Sequence, residues 1–258
     1  MKYNKRLESQ DAGVVDNDLF QFTWRQHFLT YAAMKKFCGQ NEKIYTVNKA
    51  NNKVSYAKLK RFEPGAVSVR GWTQHIEKEF SHPIESNYLS VINKLIDSKP
   101  RALFSTENLP VIKYLALWSA RFSFKDSDSS INVYGNFETM ELTPFERQCL
   151  EQRNTQQAGV IQKHESNSQQ IKSLYESIVN DLSGIQFILH KVQCDMNLVL
   201  PDKTNLLCLP ISSNSILIPD SISFDGQSVA SVSSLNMQML NQSDEYYWVE
   251  DINKVVRC

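Results

Sequence analysis

The chain has 258 residues, of which 41% are apolar and 22% charged, values that predict one large or two small globular units. Its 28 basic and 28 acidic side chains cancel at neutral pH. That balance excludes both a polycation and an acidic solvating chain, so any electrostatic function has to be local.

Residues 1–23 read as a polar extension ahead of a single α+β domain over 24–258. Residues 1–18 place no apolar run behind their lysines, and nowhere do about 18 uncharged apolar residues follow one another, so the pattern predicts a cytoplasmic chain with no leader and no membrane partner. In KIYTVNKANNKVS, Lys43 to Ser55, two β-type runs flank Asn51-Asn52, a pair that tolerates positive φ, which predicts a hairpin. Ser81 is placed to cap a helix with Pro83 in its first turn, and Ile84, Tyr88, Val91, Ile92 and Leu95 follow at helical spacing. A second helix begins near Thr106, takes Pro110 in its first turn and aligns Val111, Ile112, Leu115, Ser119 and Phe122 on one face toward the first.

Thr143-Pro144-Phe145-Glu146 reads as a capping box with proline at N1. Gln152 to Gln170 is almost devoid of apolar residues and is either an exposed helix or a mobile connector. Helical spacing returns at Ile171, Leu174, Tyr175, Ile178 and Leu182, closed by Gly184 as a C′ residue. Strands are predicted over Ile185 to Val192, Asn197 to Leu200, Leu206 to Leu209 and Ile216 to Pro219, then a helix over Ser228 to Asn241 and a last strand over Tyr246 to Glu250. The expected fold is α+β: an N-terminal β-hairpin, a central helical layer and mainly antiparallel C-terminal strands.

Charge is distributed unevenly. From Arg25 to Arg61 there are nine bases (Arg25, Lys35, Lys36, Lys43, Lys49, Lys53, Lys58, Lys60, Arg61) against the single acid Glu42, a local net of +8. After Cys194, eight acids face three bases. Tyr31, Phe37, Tyr45, Tyr56 and Phe62 alternate with the N-terminal bases, and cations interleaved with rings suit a nucleic-acid surface. Two other readings stand beside it: lysines guarding a strand edge, and bases neutralising the chain's own acidic third.

Cys38, Cys149, Cys194, Cys208 and Cys258 are odd in number and contain no Cys-x-x-Cys pair, which argues against a disulfide framework or a zinc ribbon. His75, Glu79 and His82 fall at i, i+4 and i+7, but Pro83 and the Ser81 cap place His75 outside the helix, so no metal site is assigned. Eight glycines and the absence of Gly-x-Ser-x-Gly, Gly-x-x-x-x-Gly-Lys and Gly-x-Gly-x-x-Gly disfavour nucleotide-fold enzymes and leave any cofactor unassigned. The acidic pairs Glu77 with Glu85, Asp195 with Asp202, and Asp244 with Glu245 leave a magnesium-dependent phosphodiesterase open.

Gln26-His27-Phe28-Leu29-Thr30-Tyr31, with the hairpin behind it, resembles the opening of the largely bacterial domain-of-unknown-function family 4238, which typically begins His-Tyr-Val-Pro. Ile76-Glu77 and Ile84-Glu85 resemble its paired Ile-Glu steps, Arg121 an arginine ending the next helix, Leu209-Pro210-Ile211-Ser212 its Pro-Leu-Ser-Pro, and Leu235-Asn236 its late Leu-Asn. Thr30 replaces the family proline, and the family's Thr-Ser-Asp-Asn-Pro is reduced to Gln193-Cys194-Asp195-Met196-Asn197. The resemblance implies that His27, Glu77, Glu85, Arg121, Asp195 and Asn236 converge, either as a catalytic constellation or as a buried polar network joining two layers. Nucleic acid on the basic segment leads as the expected partner, with an accessory or effector role in phage or mobile-element conflict. A metal-dependent hydrolase and a protein-interaction subunit are the alternatives.

Overall fold

The computed structural model describes residues 25–63, 65–69, 71–126, 131–132, 146, 149–150, 160–161, 163–204 and 207–256. The α+β class holds, with antiparallel sheets packed against a helical layer.

β1 (Arg25–His27) leads to the short α1 (Tyr31–Met34), which Thr30 caps by accepting the Ala33 N–H on Oγ1 at 3.3 Å. The hydroxyl standing where the family resemblance expects proline thus satisfies a helix terminus. β2 (Lys43–Asn48) and β3 (Lys53–Lys58) form the expected hairpin; Asn52 adopts φ +53°, and the Asn48 and Asn51 side chains accept turn N–H groups. β4 (Val67–Val69) pairs with β1.

α2 (His82–Leu95) does not start at Ser81. A π-helical turn over Ile76–Ser81 runs directly into it, Ser81 is helical at φ −80° and ψ −43°, and residues 74–75 are helical too. His75 is therefore inside the helix rather than outside it. The Pro83 signal that predicted a start is accommodated because the wider π winding relaxes the i→i−4 ladder that proline interrupts.

After β5 (Arg101–Ala102), α3 (Ser105–Ser123) opens where Glu107 accepts the Phe104 N–H at 2.9 Å and pairs with both Arg101 terminal nitrogens at 2.7 Å. Pro110 lies beyond its first turn. α3 is buried almost all round, including Val111, Ile112, Tyr114, Leu115, Leu117, Trp118 and Phe122, as befits a helix enclosed by other elements rather than one with a single core face. α2 meets it through the Tyr88–Tyr114 stack, with ring centroids 3.7 Å apart.

β6 (Ile131–Asn132) and β7 (Val160–Ile161) pair with each other, and α4 (Lys163–Asp181) covers a second side of α3. Within Gln152 to Gln170, residues 163–170 are helical, and the exposed alternative fails there: Glu165, Ser166, Asn167 and Ser168 are buried. Their polarity hid this, because burial is sustained by hydrogen bonds such as Asn167 to the Gly71 carbonyl at 2.8 Å and the Thr73 N–H to Ser168 at 2.9 Å. Gly184 does not take the left-handed conformation of a C′ glycine. Of the predicted capping box, residues 143–145 lie outside the described residues, and Glu146 is helical.

β8 (Phe187–Lys191), β9 (Leu200–Pro201), β10 (Leu209–Ser212), β11 (Ser215–Pro219), α5 (Val229–Gln242) and β12 (Tyr246–Val249) complete the chain, with Ser228 capping α5. One sheet runs β10-β11-β8-β5 and the other β3-β2-β12-β9, every pair antiparallel. Strand alternation divides the interior in two. Leu217 and Trp248 face a core with Phe28, Trp72, Leu115 and Trp118, while Ile216, Ile218 and Val249 face another with Leu198, Val232 and Met239. β3 is an edge strand, and all six of its residues are exposed. No helix among the described residues is long and apolar enough to cross a membrane.

Candidate functional site

Four of the six residues picked out as a constellation meet around Arg121. The last turns of α3 carry this guanidinium inward until its side chain is only 1% exposed. Nη1 donates to Glu85 Oε1 at 2.5 Å and to the His27 main-chain oxygen at 2.7 Å, and Nη2 donates to Glu77 Oε2 at 2.9 Å. The Nε–H is buried, and no described residue accepts its hydrogen. Glu77 and Glu85 keep 18% side-chain exposure, so the acids form the outer wall of the cluster and the arginine its floor.

Sequence reasoning missed two members. The Trp72 ring lies under the Arg121 guanidinium at 4.9 Å, and its indole N–H donates to the same Glu77 oxygen at 2.8 Å. Gln26, fully buried, holds Trp72 by accepting its N–H at 3.0 Å and donating to its carbonyl at 2.8 Å. Gln26 stands at the head of the motif that carries the family resemblance, which assigns it no role, and no motif marks Trp72.

Burial pushes the His27 imidazole below its ordinary value, favouring the neutral ring. Its Nε2 lies 2.6 Å from the Arg61 carbonyl. A carbonyl only accepts, so Nε2 carries the hydrogen and Nδ1 of the neutral ring is the unprotonated nitrogen. Burial raises the Glu85 carboxyl, against the pull of Arg121 and reinforced by the neighbouring charge of Glu77.

Asp195 and Asn236 do not join this cluster. Asp195 pairs at the surface with Lys254 at 2.6 Å, and Asn236 is buried in the second core, donating to the Asn197 and Val255 carbonyls and accepting the Val199 N–H. The convergence inferred for them fails because the loop around Asp195 and helix α5 pack on the second core, through Met196, Leu235 and Met239, and not on the core that holds α3. Among the described residues, no group of three or more His, Cys, Asp or Glu side chains is placed to hold a metal ion.

The basic segment sorts itself just as clearly. Lys49 is not a surface cation: its half-buried ammonium donates to the Leu240 and Ser243 carbonyls, closing the C-terminal end of α5. Lys35 and Lys58 both pair with Glu42, at 2.6 and 3.3 Å. Lys53, Lys60 and Arg61 are exposed, and Lys36 is half-buried. Two ring stacks stand among them. Phe62, 37% exposed, stacks on His27 at 5.5 Å with the guanidinium carbons of Arg25 and Arg61 at 5.2 and 5.7 Å from its centroid. Tyr56, 49% exposed, stacks on Tyr45 at 4.4 Å with the Lys43 ammonium at 5.5 Å.

No protein family model matches the chain, and no curated protein or solved structure is detectably similar to it.

Proposed function

We propose that the chain binds a polyanion, nucleic acid foremost, through the exposed bases of the β2–β3 hairpin and of the loop that carries Phe62. The exposed Arg61 guanidinium set against the exposed Phe62 ring, with Lys53 and Lys60 exposed nearby in the chain, carries this reading.

The intramolecular alternative loses weight on a second observation. Three acids of the C-terminal third pair with cations outside the basic segment: Asp244 and Glu245 with Lys125, and Asp195 with Lys254. From the basic segment, Lys49 reaches that third, and it binds carbonyls. Lys53, Lys60 and Arg61 stay exposed to solvent.

The test is the salt dependence of binding to a labelled oligonucleotide, with heparin as a base-free polyanion. Affinity falls steeply with salt, and the Lys53→Gln, Lys60→Gln, Arg61→Gln triple variant flattens the slope by about 0.7 for each single-strand phosphate it no longer neutralises. An unchanged slope in a folded triple variant disproves the reading.

A further inference from the structure

We infer that the outer edge of β3 docks an extended acidic segment of a partner protein, which adds a fifth strand to the four-stranded sheet. This does not rest on the polyanion reading, because the contact is made by backbone groups as well as by charge. Proteins blunt exposed sheet edges with short strands, proline, bulges or a covering element. Three of the four edges of the two large sheets are blunted in this way: β5 and β9 are two residues long, β9 ends in Pro201, and β10 contains Pro210 and a break in register between Pro210 and Ser212. β3 differs on every count. It runs six residues without proline, keeps one-to-one register with β2 throughout, and is exposed along its whole length. Among the described residues no strand lies beyond it.

The direction of its backbone groups follows from two bonds that flank the hairpin. The Leu59 N–H donates to the Glu42 carbonyl at 2.9 Å, and on the other side of β2 the Lys49 N–H donates to the Glu245 carbonyl at 2.8 Å. Alternation along an antiparallel ladder then turns the N–H and C=O groups of Ser55 and Ala57 toward β2, and those of Val54, Tyr56 and Lys58 outward. An incoming strand meets three residues that each offer a donor and an acceptor.

The side chains of those same residues complete the site. Val54 and Tyr56 are 47% and 49% exposed, and Tyr56 is seated on Tyr45 with ring centroids 4.4 Å apart, so apolar area stands beside the outward backbone groups. Lys58, with Lys43 opposite it on β2, lies on the same side of the sheet, and Lys53 begins the strand at its other end. Glu42 is shared between Lys35 and Lys58, which leaves that corner positive.

Charge decides the occupant. A second copy of the chain brings the same lysines to the shared edge, and like charges across a ladder are destabilising. A strand with carboxylates opposite Lys58 and Lys53 and β-branched side chains beside Tyr56 and Val54 matches both the ladder and the field. Antiparallel like the other pairs of this sheet, it reads acid, any residue, apolar, any residue, apolar, acid.

The experiment is fluorescence anisotropy of the full chain with a labelled, end-capped Ser-Glu-Thr-Val-Thr-Val-Glu-Ser peptide. Expected is saturable binding that N-methylation of the two valines weakens by about tenfold or more, since two ladder bonds are lost, whereas N-methylation of the two threonines, whose N–H groups point away from β3, changes it by less than about twofold. Lysine in place of both glutamates is expected to abolish binding. Val54→Pro removes an outward N–H and no bond to β2; with the fold checked by circular dichroism, it should weaken the peptide as valine methylation does and leave the salt slope of heparin binding unmoved. Equal affinity for the valine-methylated peptide overturns strand addition, and equal affinity for the lysine peptide overturns the acidic occupant. A dimer in light scattering that Val54→Pro dissociates gives the edge to a second copy and overturns the inference as well. Failure of the peptide to bind while heparin binds overturns this inference alone, and the reverse result overturns the polyanion reading alone.

Discussion

Arg121 on α3 donates through Nη1 to Glu85 on α2 at 2.5 Å, across 36 residues of chain. With Glu77 on the π-helical turn and the His27 carbonyl on β1, that one guanidinium ties α3, α2, the turn and β1 together. Removing it strands two desolvated carboxylates. Arg121→Met is expected to lower stability by about 3–5 kcal/mol, and adding Glu77→Gln and Glu85→Leu to restore most of the loss. Urea midpoints of the single and triple variants decide it; a triple variant no better than the single one refutes the network.

The same cluster sets an acid response with two opposing limbs. His27 is held below the ordinary 6.5, so as pH falls past that value the unfolded chain takes up a proton first. Its contribution is complete above 6.5 and is lost on acidification toward the folded-state value. Glu85 is raised above 4.5, so the folded state takes up its proton first and acidification through that window stabilises. His27→Gln is expected to abolish the first limb and Glu85→Gln the second. Denaturation midpoints from about pH 7 down to about 4 measure both, and a His27→Gln profile superimposing on the parent chain contradicts the assignment.

Asp202 was legible only as one of several acidic pairs, yet it is fully buried and accepts four hydrogen bonds, from the Ser243 hydroxyl and the N–H groups of Asp244, Glu245 and Tyr246. It secures the turn that delivers β12 to the centre of its sheet. Asp202→Ala is expected to cost about 1.5–3 kcal/mol, since the hydrogen bonds of a buried carboxylate disappear and three backbone N–H groups lose their acceptor. Hydrogen exchange at residues 244–246 should accelerate; unchanged protection there argues against this role.

Lys49 separates folding from binding within the basic segment. Lys49→Met is expected to destabilise by about 1 kcal/mol by uncapping the helix terminus, with the salt slope of polyanion binding unmoved. A flattened slope with unchanged stability places Lys49 on the ligand face instead.

Cys208 is buried, and burial pushes its thiol up to about 11. Alkylation by iodoacetamide at neutral pH should therefore leave Cys208 largely unmodified until the chain unfolds. Rapid modification of the native protein at Cys208 counts against its burial.

Local chemistry is what the sequence by itself determined. Asn51-Asn52 predicted the hairpin turn because those side chains tolerate positive φ, and apolar spacing predicted a helix from Ser228, which the structure shows capping α5. The approach of His27, Glu77, Glu85 and Arg121 was within reach through a resemblance, while Trp72 and Gln26 were not, since an indole under a guanidinium leaves no trace in spacing.

Only the tertiary structure decided which face each side chain serves. β2 pairs with β12 across some two hundred residues, and that pairing turns Trp248 to one core and Val249 to the other. It also drew Lys49 onto α5 and left Asp195 and Asn236 away from Arg121. A cation's role depends on whether a carbonyl, a carboxylate or water lies within reach, and composition counts charges without their partners.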